Sequence, residues 1–395
     1  MRKLGSLFSG AGGFELCAKL SGIEPVWASE VERFPIAVTS KNFPGIKHLG
    51  DIKNINGAEV EPVDVIAFGS PCQDLSIAGK RVGLDGERSG LFAEAIRIVK
   101  EMRCASGGIN PRFVIWENVP GAFSSNAGED FRTVLEEIVR IKFPAVSIPR
   151  PSWGWTVSGL VVGDGFSVAW RMLDAQYWGV PQRRRRIYLA ADFAGQSAGK
   201  ILFECESLQG DIAPRSGTQK NTSANSRGSV EKTICFEPGS SSRVGGHSWN
   251  NLAGPLRANA GDNQLAIAIE NHPADSRMRM SNKVQTLTSQ MGTGGNNVPM
   301  TLKTYSIGSY NSEGMKSDNP KMSRDYKDPQ NLVRRLTPME CGRLQGFPDG
   351  WCDGVPHSDM AEYKMWGNSL AIPCALFVIR RVAEMLNKNE EGEND

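Results

Sequence analysis

Four short apolar runs in the first 120 residues each carry the chain to a cluster of glycine, serine or acid. Leu4–Phe8 leads into Ser9-Gly10-Ala11-Gly12-Gly13, and Val26–Ser29 leads into Glu30. Val63–Phe68 leads into Gly69-Ser70-Pro71-Cys72-Gln73, and Phe113–Trp116 into Glu117-Asn118-Val119. Between the runs lie helix-like segments at Phe14–Leu20, Phe34–Asn42, Leu91–Met102 and Asp130–Ile141. In the last of these, Phe131, Val134, Leu135, Ile138 and Val139 share one face at helical spacing. Regular strand–helix alternation predicts an α/β fold with a doubly wound, mostly parallel sheet. Such sheets take their ligands at the carboxyl ends of the strands, where these polar clusters fall. Two more strands are expected at Ser167–Leu173 and Arg186–Ala191.

The first 192 residues therefore read as one domain. Residues 193–332 change character: they are rich in Gly, Ser, Asn and Thr, and a weak repeat relates 254–263 to 285–297. A second, smaller, loop-rich domain of short strands is expected there, with partial disorder as the alternative. Order returns over 333–395. Thr337-Pro338-Met339-Glu340 carries the marks of a helix start with a capping box. A last helix is expected from Pro373 to about Leu386, followed by a frayed, charged tail.

A chain of 395 residues with net charge +2 is not driven to a partner by bulk charge. Its basic knots, Gln182-Arg183-Arg184-Arg185-Arg186 and Arg334-Arg335, are local. The eight cysteines form no CxxC pair, and the four histidines complete no ligand cluster with them. Reduced thiols and no metal are expected. No apolar stretch is long enough to span a bilayer, and no signal-peptide pattern precedes the first strand. The expected location is a cytoplasm, without a membrane partner.

Each cluster has a chemical reading beside a plain one. The glycine-rich turn suits close approach of a cofactor at a helix N-terminus, and Glu30 at the next strand end can accept ribose hydroxyls. The spacing departs from GxGxxG, since Phe14 follows the paired glycines, which favours a nucleoside without phosphates over a dinucleotide. The plain reading is a structural turn. Asp51, in Gly50-Asp51-Ile52, could hold an adenine amino group or merely cap a turn.

A buried free cysteine is usually a small hydrophobe. Pro71, the strand end and Gln73-Asp74 argue instead that Cys72 is exposed and reactive. Residues 74–90 read as a basic, mobile lid or as an ordinary loop. Glu117 after four apolar residues reads as a desolvated carboxylic acid able to donate a proton. The arginine run suits phosphate or carbonyl recognition, or a solvated charge face. Asn368 or Ser369 could cap the last helix or reach the cofactor.

In this order the motifs closely resemble the DNA (cytosine-5) methyltransferase family, in its single-chain bacterial and phage form. The resemblance covers residues 3–192 and 333–386 and includes Arg335-Leu336-Thr337-Pro338, Arg343-Leu344-Gln345-Gly346-Phe347-Pro348 and Gly367-Asn368-Ser369. It implies the S-adenosylmethionine-dependent methyltransferase fold, with 193–332 as a target-recognition domain. S-adenosyl-L-methionine would lie against Phe8, Gly10, Gly12, Gly13, Glu30, Asp51, Ile52, Pro71, Asn368 and Ser369, with Asn368 near Gly12. The target cytosine would be flipped out of the duplex. Cys72 would attack C6 and Glu117 would serve N3. Arg184 would hold the base or assist Glu117, while Arg186 supported the loop. The implied partner is double-stranded DNA, bound by a monomer in the cytoplasm of a bacterial or phage-infected cell, with a cognate restriction endonuclease as an optional, separate one.

Three other readings stay open from the sequence. They are a cytosine-5 methyltransferase acting on RNA, which would not need the 193–332 insert, a nicotinamide-dependent oxidoreductase, and a non-catalytic DNA-binding regulator. Within 193–332, Arg257, Arg277, Arg279, Asn282, Lys283, Gln285 and Gln290 are side chains able to read base edges.

Overall fold

The computed structural model describes residues 1–71, 90–203, 268–272, 275–281, 284–285, 300–303 and 332–391. Cys72, the remainder of the expected lid through 89 and the repeat at 254–263 lie outside the described residues.

The first lobe is an eight-stranded sheet. Its strands are β1 (Lys3–Leu7), β2 (Glu24–Ser29), β3 (Lys47–His48), β4 (Val65–Phe68), β5 (Phe113–Asn118), β6 (Ser158–Gly163), β7 (Phe166–Asp174) and β9 (Arg185–Asp192). They run in the order β3-β2-β1-β4-β5-β9-β7-β6. The pairs β3–β2, β2–β1, β1–β4 and β4–β5 are parallel, whereas β9, β7 and β6 join antiparallel. The chain winds from β1 out to β3 and then returns to β4 on the other side of β1. The carboxyl ends of β1 and β4 therefore form the crevice at which such sheets bind ligands.

Helices cover both faces. On one side lie α1 (Gly13–Leu20), α5 (Ala198–Leu202) and the C-terminal helix α8 (Ile372–Glu391). Their buried Phe14, Cys17, Ile201, Val378, Ile379 and Val382 pack with Leu4, Val65, Ile115 and Ala190 of the strands. On the other side lie α3 (Leu91–Ala105) and α4 (Glu129–Val139). All five of the expected apolar positions of α4 are buried. Trp116 of β5 sits between Phe92 of α3 and Phe131 of α4, with ring centroids 6.1 and 6.3 Å away. Truncating so large a buried ring typically costs about 3–5 kcal/mol.

Residues 268–335 contribute a four-stranded sheet: β10 (Ala268–His272), β11 (Asp275–Ser281), β13 (Met300–Lys303) and β14 (Leu332–Arg335), in the order β11-β10-β13-β14. Its pairings are all antiparallel. β14 carries this sheet past the expected boundary at 332. A two-residue parallel pair, β8 (Gln182–Arg183) with β12 (Val284–Gln285), links it to the first lobe.

The expected capping box is present: Thr337 Oγ1 accepts from the Glu340 N–H and Glu340 Oε2 from the Thr337 N–H, at the start of α6 (Pro338–Gln345). Features not anticipated include the edge strand β6, the helix α5, the helix α7 (Asp359–Asn368), and the continuation of α8 beyond Leu386.

Within α1, Glu15 is fully buried and accepts a hydrogen bond from Ser6 Oγ of β1. Burial pushes its carboxyl up to about 7. The folded state thus holds a proton that the unfolded chain releases above its ordinary value near 4.5. Stability from this group is full below that value and is lost as pH rises towards 7, by up to about 3 kcal/mol. Glu15→Gln should therefore gain on the wild type between pH 4.5 and 7, as read from urea unfolding midpoints at the two pH values. A constant difference would refute the assignment.

Candidate active site

The glycine turn begins where β1 stops. Phe8 adopts φ 57° and Gly10 φ 52°, and Gly12 (φ 82°) is the left-handed N-cap of α1. A side chain at Gly12 would strike Thr39 Cγ2 of α2 (Arg33–Asn42), with its Cβ only 2.8 Å away. A Cβ at Gly13 would lie 2.9 Å from Leu370. The Trp351 indole N–H donates to the Ala11 carbonyl at 2.8 Å. The turn is therefore gripped from the C-terminal segment by Leu370 and Trp351. Asn368, expected near Gly12, is exposed at the end of α7.

Glu30 anchors the same turn. Its Oε2 accepts from the Gly10 N–H at 2.8 Å, and its Oε1 accepts from the Val31 and Glu32 N–H groups at 2.8 and 3.0 Å. A carboxylate offers about four lone-pair sites, so Oε2 keeps capacity for one hydroxyl. Phe8 is half-buried beside it, and Ile52 is buried. Asp51 caps the short turn Ile52–Asn54, its Oδ1 accepting from the Lys53 N–H at 3.0 Å. A half-exposed carboxylate, an aromatic ring and free backbone at a helix start fit a nucleoside. These residues are compatible with S-adenosylmethionine.

Strand register sets the rest. Ser29 pairs with Leu7, Leu7 with Phe68, and Phe68 with Trp116. One residue further on, Glu30, Phe8, Gly69 and Glu117 fall in a single row along the sheet edge. Glu117 Oε2 lies 3.0 Å from where a Gly69 Cβ would stand, so a side chain there would crowd the carboxylate. Beyond Gly69, Ser70 is buried and Pro71 is exposed. The Trp116 indole N–H donates to Ser70 Oγ at 3.1 Å, and Asn118 Nδ2 donates to the Ser70 carbonyl at 2.9 Å. These two contacts were not expected. A hydroxyl beside a proline, facing a strand with Trp and Asn on alternate positions, was the signal available.

Arg186, expected to support the loop, forms an ion pair with Glu117. Arg186 Nε stands 3.2 Å from Glu117 Oε1, and both side chains are largely shielded from solvent. Arg184 is buried, and its Nη2 donates to the Ser369 carbonyl. Antiparallel register explains this. Glu117 faces Tyr188 directly, so Arg186 is its diagonal neighbour on the same face, and Arg184 lies one step further out, beneath Ser369. Arg186 is thus a direct partner of Glu117, and the two side chains lie together, largely shielded from solvent. Burial, followed by the nearby Arg186 charge, pulls the Arg184 guanidinium down to about 9. Among the described residues no group of His, Cys, Asp and Glu could hold a metal ion, and no helix is long and apolar enough to cross a membrane.

The family model for C-5 cytosine-specific DNA methylase matches residues 2–144 and 162–384. The chain belongs to this family, and with it to the enzymes that methylate cytosine C5 in DNA. It is 28% identical to the DNA N-6-adenine-methyltransferase of Escherichia phage P1, over 98% of this chain and 62% of that protein. It is 27% identical to type II methyltransferase M1.ScrFI of Lactococcus lactis subsp. cremoris, over 98% of this chain and 80% of the relative. The crystal structure of S. pombe Dnmt2 methyltransferase shares the fold, with TM-score 0.57 at 18% identity, covering 98% of this chain and all of that one.

Replacing Glu30 with alanine removes the acceptor of three backbone N–H groups at once. Glu30→Ala should weaken S-adenosylmethionine binding by about tenfold or more, the equivalent of about 1.4 kcal/mol, measured by calorimetry. Unchanged affinity would show that the turn holds without it.

Proposed function

We propose that this chain transfers the methyl group of S-adenosyl-L-methionine to C5 of a cytosine flipped out of duplex DNA, through a covalent bond between Cys72 and C6. The observation that carries the reading is the seat of Glu117: its carboxylate lies against Gly69, at the end of the strand that leads into Pro71-Cys72. The bound cofactor supplies an electrophilic methyl group. Cytosine C5 is too poor a nucleophile to take it unaided.

Addition of the Cys72 thiolate to C6 pushes the electron pair of the C5–C6 bond towards N3 and C5. Glu117 in its acid form donates to N3 and stabilises the electron-rich ring. The neighbouring Arg186 stabilises the carboxylate that proton donation leaves behind, and it can also reach the base. C5 then forms its bond to the methyl carbon as the methyl–sulfur bond breaks, its electron pair staying on the sulfur. Loss of the C5 proton to a base returns the electron pair to the ring and expels the Cys72 thiolate, while the N3 proton goes back to Glu117. Arg184 acts at one remove, holding Ser369 and the C-terminal segment against the site.

Phe8, Glu30 and Asp51 hold the cofactor's adenosine portion. Residues 193–332 supply target recognition, in a chain acting as a monomer. The type II methyltransferase name of the lactococcal relative supports a modification role alongside a separate restriction endonuclease.

A second reading comes from the phage P1 relative, whose name specifies the adenine amino group. This chain matches only 62% of that protein's length. The Cys72 and Glu117 pair also answers the needs of a ring carbon, since an exocyclic amine is nucleophilic without covalent activation. Nucleoside analysis of DNA from expressing cells separates the two: 5-methylcytosine is expected, and N6-methyladenine alone would overturn the proposal.

Cys72→Ala should abolish turnover while leaving duplex binding intact. Glu117→Gln should slow single-turnover methylation by about 10²-fold or more. Near-wild-type rates in either variant would refute its role. Duplex affinity should fall steeply with added salt as phosphate contacts release counterions, read from binding isotherms at two ionic strengths.

A further inference from the structure

The backbone ladder between β4 and β5 ends at the pair Phe68–Trp116. Beyond it, the chain must still carry Gly69-Ser70-Pro71 in a fixed relation to Glu117. Side chains take over the pairing there. The buried Ser70 hydroxyl accepts from the Trp116 indole at 3.1 Å, and its carbonyl accepts from the Asn118 carboxamide at 2.9 Å. Asn118 is itself fixed, because its Oδ1 accepts from the Val119 N–H at 2.8 Å.

Trp116 and Asn118 flank Glu117 in sequence and so point to the opposite face of the strand. Ser70 is thus held by the two neighbours of Glu117 from the far face, while Glu117 itself occupies the near face against Gly69. Trp116 in turn is locked between Phe92 and Phe131. The rigidity of the helical layer behind the sheet is passed through one indole N–H to the residue two before Cys72.

We infer that Ser70 is a positioning residue for methyl transfer: its hydroxyl, held by the Trp116 indole, fixes the turn leading into Cys72 relative to Glu117. The inference rests on the covalent reading above. Ser70 need not touch substrate or cofactor. The ladder already ties the two strands together, so the bond's consequence falls on the geometry of the turn rather than on the fold. Small misplacements of reacting groups lower rates steeply.

The test is a double-mutant cycle on the full chain with Ser70→Ala and Trp116→Phe. Each change removes the same hydrogen bond, and phenylalanine keeps an aromatic ring between Phe92 and Phe131. The readouts are single-turnover methylation, the rate of covalent trapping on duplex DNA containing 5-fluorocytosine, and S-adenosylmethionine affinity.

Each single variant should lose about tenfold or more in both rates with cofactor affinity within about twofold of wild type. The double variant should be no slower than the slower single one, because the shared bond can be lost only once. Wild-type rates in Ser70→Ala would overturn the inference. So would losses that multiply in the double variant, or a defect confined to cofactor affinity. Failure of the wild-type chain itself to be trapped would instead refute the covalent reading and this inference with it, whereas equal trapping by wild type and both variants overturns the inference alone.

Discussion

Parallel pairing in phase across β2, β1, β4 and β5 is the constraint from which the site follows. Because Ser29, Leu7, Phe68 and Trp116 are in register, four strands end level with one another. A slip of one residue in any pair would turn the affected side chain to the other face. Glu30 would then leave the Gly10 amide, or Glu117 would leave Gly69. The apolar runs that give register its energy also place the reactive groups. Core and chemistry are specified by the same residues.

Charge placement completes what register begins. The carboxylates at this edge differ in their partners. Glu30 is tied to backbone amides, Glu117 faces Arg186, and Glu15 lies in the core beneath the turn on Ser6. Glu15 is held towards its neutral form by burial. Arg184 is buried and donates to a carbonyl of the C-terminal segment. Like charges are therefore spread over distinct partners instead of competing for one.

Much of this was legible in the sequence because the first 140 residues alternate cleanly between period-2 or continuous apolar runs and helical spacing. The α4 face, the glycine turn with Glu30 in phase, and the Thr337–Glu340 capping box are local patterns, and each appears as expected. What was missed is mostly non-local. Which arginine meets Glu117 depends on the antiparallel register of β9, and no spacing within Gln182–Arg186 encodes that. Leu370 reaches the glycine turn because α7 ends at Asn368 and the chain then turns towards Gly13. β6 escaped notice because Ser158-Gly159-Leu160-Val161-Val162-Gly163 lies at the sheet edge with both glycines weakening its strand signal. Ser70 carries no signal alone; it acquires a role only when Trp116 and Asn118 are brought beside it.

The grip of Trp351 on Ala11 joins residues 340 positions apart, and Arg2 reaches the Leu386 carbonyl at 2.8 Å. During synthesis the glycine turn emerges early and waits for nearly the whole remaining chain before its clasp arrives. A ribosome-bound intermediate would carry the acid and the strand ends with an unbraced cradle. The cradle is thereby braced only after all of the chain between the two halves of the clasp has also been made.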